Sequence, residues 1–266
     1  MLFLSRMYLL KPIVSHMDSD RASRAALRYF RAQGKIPGGR WFNRHFHKNR
    51  ALGLQKEVFG LDFYNPVGLG AGLDRKGDMY NDLCDLGFSF VEVGPMGLEN
   101  VRIAIKNLLR DAQDDILAVC IDNDFQAAFC LAYDYFDFFV IDLGDSLDVS
   151  VLEPLLDARL TYDVYKPVVV KVSPSATREK LLEIVDFCRM NGIDGIEVCS
   201  MAHIGLVNGH TEGRWPIIAN CRIRDEKAAR EALDAGASLI EVRSALVYNG
   251  PSMIDRILVH LGKSAG

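Results

Sequence analysis

From about residue 64 onward, short runs of β-branched and other apolar residues alternate with amphipathic stretches, with turn residues between them. The strand-like runs are Pro66–Gly70, Phe90–Gly94, Ile116–Asp122, Phe138–Gly144, Val168–Ser173, Gly195–Ser200, Trp215–Cys221 and Leu239–Ser244. Helical patterns fill most of the gaps. In Thr177–Asn191, residues Leu181, Ile184, Val185 and Cys188 share one face, and Asp225–Ala235 has Asp225 at its N-cap and Gly236 at its C-cap. The region Met201–Arg214 shows no helical periodicity and reads as a loop that could act as a lid.

Strand–helix repetition predicts a parallel α/β fold. A count of eight favours a (β/α)8 TIM barrel over a doubly wound sheet. The first strand is also not followed by G-x-G-x-x-G; the nearest match, Gly68-Leu-Gly70-Ala-Gly72, has the wrong spacing for a dinucleotide turn. Upstream, Glu57–Phe63 alternates Val58, Gly60 and Asp62 against Phe59, Leu61 and Phe63, which predicts a hairpin across the bottom of the barrel.

The remaining N-terminal segment differs from the rest. Residues 1–50 carry 11 Lys and Arg against 2 acidic residues, leaving 20 basic and 33 acidic residues for 51–266. Two units are therefore expected, a basic helical extension over 1–50 and the barrel over 51–266. Within the extension, Asp20–Gln33 places Ala22, Ala25, Ala26, Tyr29 and Phe30 on one helical face and Arg21, Arg24, Arg28 and Arg31 largely around the other. Such a helix either docks on the barrel with a solvated basic face or lies on an anionic membrane surface. Only Tyr29 and Trp41 accompany its arginines as stacking aromatics, so no nucleic-acid partner is expected.

With 49% hydrophobic and 25% charged residues the chain can build a core, which excludes disordered and collagen-like classes. Six cysteines without C-x-x-C or zinc spacing suggest reduced thiols and a cytoplasmic setting. The opening MLFLSRMYLL is interrupted by Arg6 and is far shorter than the ~20 apolar residues of a spanning helix. The expected location is cytoplasmic, with the extension allowing a peripheral position on the inner face of the membrane.

Strand parity makes a further prediction. If the β-branched residues face the helices, their alternates face the lumen: Glu92, Asp142, Lys171, Glu197, Asn220, Arg222, Glu241 and Arg243. Four carboxylates and three cations could then pair internally, and either pairing or contact with a ligand is expected, because an unpaired buried ion costs several kcal/mol. His203 and His210 fall in the loop-like region without a third metal ligand, so no metal site is expected.

The segment Asn65-Pro66-Val-Gly68-Leu-Gly70-Ala-Gly72-Leu-Asp74-Arg75-Lys-Gly77, with Leu86-Gly87-Phe-Ser-Phe-Val-Glu92-Val-Gly94, closely resembles the class 2, quinone-linked, membrane-associated dihydroorotate dehydrogenases. Pro167-Val-Val-Val-Lys171-Val-Ser-Pro174 and Ala235-Gly-Ala-Ser-Leu-Ile with Tyr248-Asn-Gly250-Pro251 extend the resemblance over most of 52–261. The resemblance implies FMN across the barrel mouth and a base that removes a proton from dihydroorotate. It also implies a hydride transfer that yields orotate for pyrimidine biosynthesis, and a quinone that reoxidises the flavin through the N-terminal extension.

Carried over residue by residue, the resemblance assigns Ala71, Gly72, Arg75, Lys171, Arg222, Arg243 and Ser244 to FMN. It assigns Arg75 and Ser200 to the substrate, and Asp145 or, after a one-residue slip, Ser146 to the position of the catalytic serine. The departures are equally specific. The family's Gly-Thr-Val-Thr-Pro reads Gly94-Pro95-Met96-Gly97, and the substrate-covering stretch that should follow is missing. The Gly-Gly phosphate turn reads Cys221-Arg222, and the Tyr-Ser/Thr pair reads Arg243-Ser244. Glycine gives a phosphate turn both its conformation and its close approach, so these replacements predict a weakened or lost flavin site and activity. A non-catalytic membrane-peripheral scaffold, or an enzyme acting on another phosphorylated or carboxylated molecule, remain alternatives.

Overall fold

The computed structural model describes Arg28, residues 53–108 and residues 115–263. Apart from Arg28, the basic segment 1–50 and its expected helix over 20–33 lie outside the described residues. The first described elements are two short antiparallel strands, β1 (Lys56–Val58) and β2 (Leu61–Phe63), joined by Phe59 and Gly60, both at positive φ. This is the hairpin expected from the alternation of that segment.

The next eight strands close into one parallel barrel. They are β3 (Val67–Leu69), β4 (Phe90–Met96), β5 (Ile116–Ile121), β6 (Phe138–Asp142), β7 (Val168–Val172), β8 (Gly195–Val198), β9 (Ile217–Ala219) and β10 (Leu239–Val242). β10 pairs with both β9 and β3, which completes the circle. Helices lie between the strands: α1 (Tyr80–Cys84), α2 (Leu98–Leu108), α3 (Phe125–Ala132), α4 (Glu153–Arg159), α5 (Arg178–Met190), α6 (Met201–His210) and α7 (Glu226–Asp234). After β10 come α8 (Ser244–Asn249) and α9 (Ser252–Lys263). The fold is a (β/α)8 TIM barrel.

Local chemistry explains the helix boundaries. Thr177 Oγ1 accepts the Lys180 N–H at 3.3 Å to open α5, and Asp225 Oδ1 accepts the Ala228 N–H at 2.8 Å to open α7. After α7, Gly236 takes φ +113°, a conformation that favours glycine. The buried residues of α5 are Leu181, Ile184, Val185 and Cys188, the face read from the sequence.

The region read as a loop is instead the helix α6. Its buried residues, His203, Ile204 and Val207, have the i, i+1, i+4 spacing of one helical face, but Gly205 and Gly209 on the outer side dilute the pattern. Both glycines have open space where a side chain would stand. The lid reading of this segment is therefore withdrawn. His203 is buried, whereas His210 Nε2 lies 2.7 Å from Asp186 Oδ1 on α5.

Along each strand, one set of alternates packs outward against the helices and the other fills the lumen. Val91 and Val93, Val168, Val170 and Val172, and Ile196 and Val198 belong to the outer core. The lower lumen is aromatic. Phe90 and Phe138 have ring centroids 5.8 Å apart, and the hairpin inserts Phe63 at 5.4 Å from Phe90 and Phe59 at 5.9 Å from Phe138. Gly68 and Gly195 make room for this plug: the Phe90 ring fills the space over Gly68, and a Cβ on Gly195 would stand 2.7 Å from Phe59 Cε1 and 2.9 Å from the Pro216 carbonyl. Gly195→Ala is accordingly expected to cost about 1–3 kcal/mol in urea unfolding, because the backbone carbonyl cannot move aside as a flexible side chain would.

Candidate functional site at the barrel mouth

Above the aromatic plug the lumen becomes ionic. Glu92 on β4, Glu197 on β8 and Glu241 on β10 all turn inward and are at most 1% exposed. One oxygen from each lies within 4.8 Å of the others. Strand register brings in the nearest cation, since Lys171 on β7 pairs with Glu197 on one side and Asp142 on the other. Its Nζ lies 2.9 Å from Glu197 Oε1 and 3.9 Å from Asp142 Oδ2. Asn220 Nδ2 donates to the same Glu197 oxygen at 2.8 Å.

Of the two outcomes that parity allows, internal pairing is incomplete. Both oxygens of Glu92, both of Glu241 and Oε2 of Glu197 are buried without a hydrogen-bond partner among the described residues. The two arginines counted in that balance lie elsewhere: Arg222 and Arg243 are exposed, and Arg243 Nη1 donates to the Ala71 carbonyl at 3.3 Å. Three carboxyls thus share one ammonium. Burial and the neighbouring Glu92 carboxylate push Glu197 up to about 7, against the pull of Lys171. Burial, reinforced by Glu197 and Glu92, holds Glu241 well above the ordinary carboxyl range. Burial disfavours the Lys171 ammonium, but Glu197 and the other carboxylates outweigh it, so Lys171 remains charged.

The glycine-rich turn after β3 forms one side of the rim. The Gly72 N–H is committed to the Gly94 carbonyl at 2.7 Å, and the Gly94 N–H to the Asp74 carbonyl at 2.9 Å. Buried Asp74 organises the following turn by accepting the N–H groups of Lys76 (3.3 Å), Asp78 (3.2 Å) and Met79 (2.9 Å). The space over these glycines is filled by the chain itself. A Cβ on Gly70 would stand 2.6 Å from Glu241 Oε2 and 3.1 Å from Asn220 Nδ2, and one on Gly72 would stand 3.2 Å from Arg243 Cδ.

The other residues singled out from the sequence spread around this rim. Arg222 follows β9, Arg243 follows β10 and Arg75 follows β3; these three strands are adjacent in the barrel, and all three side chains are exposed. Arg222 also takes φ +55°, a strained value outside glycine. Ser200 is half-buried at the start of α6, and Ser244 is exposed at the start of α8. Asp145 and Ser146 are exposed in the loop after β6. Asp145 Oδ1 accepts from Ser173 Oγ at 2.7 Å and Ser175 Oγ at 3.1 Å, which holds the carboxyl below its usual range. Ser146 Oγ donates to the Leu143 carbonyl at 2.9 Å. The β6 carboxylate that reaches Lys171 is Asp142, not Asp145.

Cysteines near the mouth do not offer a nucleophile. Burial raises the Cys120 thiol well above its ordinary range and pushes Cys199 and Cys221 up to about 12, with neighbouring carboxylates adding to the effect for Cys199.

No family model matches the sequence. The dihydroorotate dehydrogenase (quinone) of Christiangramia forsetii is 25% identical, covering 94% of this chain and 96% of the relative. That of Proteus mirabilis is 27% identical over 76% of this chain and 85% of the relative. This chain is a divergent relative of the quinone-linked dihydroorotate dehydrogenases. The solved DHODH of Eimeria tenella in complex with ferulenol superposes with a TM-score of 0.69 at 18% identity, covering 87% of this chain and 92% of that one. The ligand-free form of that protein gives 0.70 at 19% identity, and both share the fold. The alignment with the first dihydroorotate dehydrogenase runs over 327 positions although this chain has 266 residues, so the relative carries segments that this chain lacks. In this chain β4 ends at Met96 and passes through Gly97 alone into α2. Among the described residues, no helix is long and apolar enough to cross a membrane.

Proposed function

We propose that this chain keeps the barrel of the dihydroorotate dehydrogenases but not their flavin chemistry, and that its mouth binds a small phosphorylated or carboxylated molecule. The observation that carries this reading is the filled rim. Where the resemblance calls for open glycine backbone against FMN, Glu241 and Asn220 occupy the space over Gly70 and Arg243 that over Gly72, while the Gly72 N–H is spent on Gly94. The residues present do not fit an isoalloxazine held in the family's manner.

The positions implied for the reacting base support the same reading. Asp145 is bound to two serine hydroxyls at the surface, and the Ser146 hydroxyl donates to the Leu143 carbonyl and not to a base. The arginines after β9, β10 and β3 supply anion-binding side chains where many barrels place phosphate, at the loops following their seventh and eighth strands. Membrane and quinone contact through residues 1–50 remain part of the family role and lie outside the described residues.

A visible spectrum and an activity assay test the proposal together. The purified full chain is expected to show no flavin absorption and no dihydroorotate-dependent reduction of a quinone or dye. Flavin in about 1:1 ratio to protein, retained through dialysis, would return the chain to the family's oxidation of dihydroorotate.

A further inference from the structure

The least satisfied polar groups in the described protein are concentrated at one point. Five carboxylate oxygens of Glu92, Glu197 and Glu241 are buried without a partner, and the three side chains converge so that one oxygen of each lies within 4.8 Å of the others. An unpaired buried carboxylate is costly and persists only when something neutralises it. Among the described residues Lys171 is the one cation in contact, and its bond is to Glu197, leaving Glu92 and Glu241 facing each other.

Charge and donor type then define what would complete the cluster. With all three carboxyls ionised, three negative charges and one ammonium leave two, which one divalent ion would balance on displacing the protons that burial otherwise favours. All-oxygen donors suit a hard cation rather than a thiophilic one. Three carboxylate oxygens within 4.8 Å of one another are close enough to share one such ion.

We propose that Glu92, Glu197 and Glu241 form a binding site for one hard divalent cation inside the barrel below the mouth. Gly70 lets Glu241 Oε2 sit close against the backbone, since a methyl there would stand 2.6 Å from that oxygen. Lys171 already lies between two carboxylates, 2.9 Å from Glu197 and 3.9 Å from Asp142. As the cation enters, the ammonium gives up Glu197 and moves to Asp142. Protons are the competing occupants, and they are favoured at low pH.

The test uses the full chain stripped with a chelator and dialysed at neutral pH against manganese, calcium or magnesium chloride alone. Metal analysis is expected to find about one of these cations per chain. Thermal unfolding is expected to rise by roughly 5–10 °C at free cation about 100-fold above its dissociation constant. Glu241→Gln keeps the shape and removes a charged ligand, and is expected to weaken manganese binding by about 100-fold; Gly70→Ala, which crowds the same oxygen, should also weaken it. The idea fails if the wild-type chain retains none of the three ions and its melting temperature does not move. It fails equally if Glu241→Gln binds manganese as the wild type does. Wild-type stoichiometry decides the matter even if neither variant folds. Flavin binding would overturn the preceding proposal while leaving this measurement intact.

Discussion

Lys171→Met is expected to cost about 3–5 kcal/mol of folding free energy near neutral pH, measured by urea unfolding in the presence of a chelator. Methionine fills much of the space of the lysine stem, so the loss reports charge rather than a cavity. Among the described residues the ammonium is the one cation bonded to Glu197, and that carboxyl is otherwise held by the Asn220 amide alone. Without it, three carboxyls face one another at full burial, and they must either repel or take up protons. The deficit should shrink when unfolding is repeated near pH 5, because Glu197, lifted to about 7 by burial and by Glu92, is then largely protonated. Equal stability of wild type and Lys171→Met near neutral pH would mean that this lysine does not hold the cluster together.

A second large effect should appear in the pH dependence. In a chelator-containing buffer, Glu241→Gln should match wild-type stability near pH 4.5 and become the more stable protein as pH rises. Burial and the adjacent Glu197 and Glu92 carboxyls hold the Glu241 pKa far above its unfolded value of 4.5. The folded state therefore binds a proton that the unfolded chain releases. For a carboxyl raised in this way, the stability contribution is complete below the unfolded value and declines as pH climbs toward the folded one, by about 1.4 kcal/mol per pH unit. The gap should widen steadily from pH 4.5 toward neutral. Comparing the two proteins cancels the titration of the many surface carboxylates. A flat difference between pH 4.5 and 8 would show that Glu241 is not the buried acid described above. Manganese, if seated beside it, should close the gap by stabilising the ionised wild type.

Much of the architecture was legible because the barrel writes its two periods plainly into the chain. Val168, Val170 and Val172 alternate with Val169 and Lys171, and the outer set packs against the helices as parity requires. The hairpin was readable for the same reason, through Phe59 and Phe63. Helix α6 was not, because Gly205 and Gly209 occupy an outer face where charged or polar residues would normally complete the pattern. At the mouth, parity identified Glu92, Glu197 and Glu241 as inward residues but could not say where flexible partners reach. Arg243 lies against the Ala71 carbonyl, and the exposed Arg222 makes no ion pair among the described residues. One-dimensional charge counting treated every inward cation as available to every inward carboxylate. Side-chain length and strand register decided otherwise, giving Lys171 to Glu197 and Asp142 alone.

The aromatic plug has a consequence for traffic. Phe59, Phe63, Phe90 and Phe138 stopper the cylinder at its lower end, so solvent species reach the glutamates from the upper opening, where Lys171 stands with 12% of its side chain exposed. A species arriving from that side meets the Lys171–Glu197 ion pair at the edge of the acidic chamber, so the strength of that one contact bears on how readily the chamber exchanges its contents.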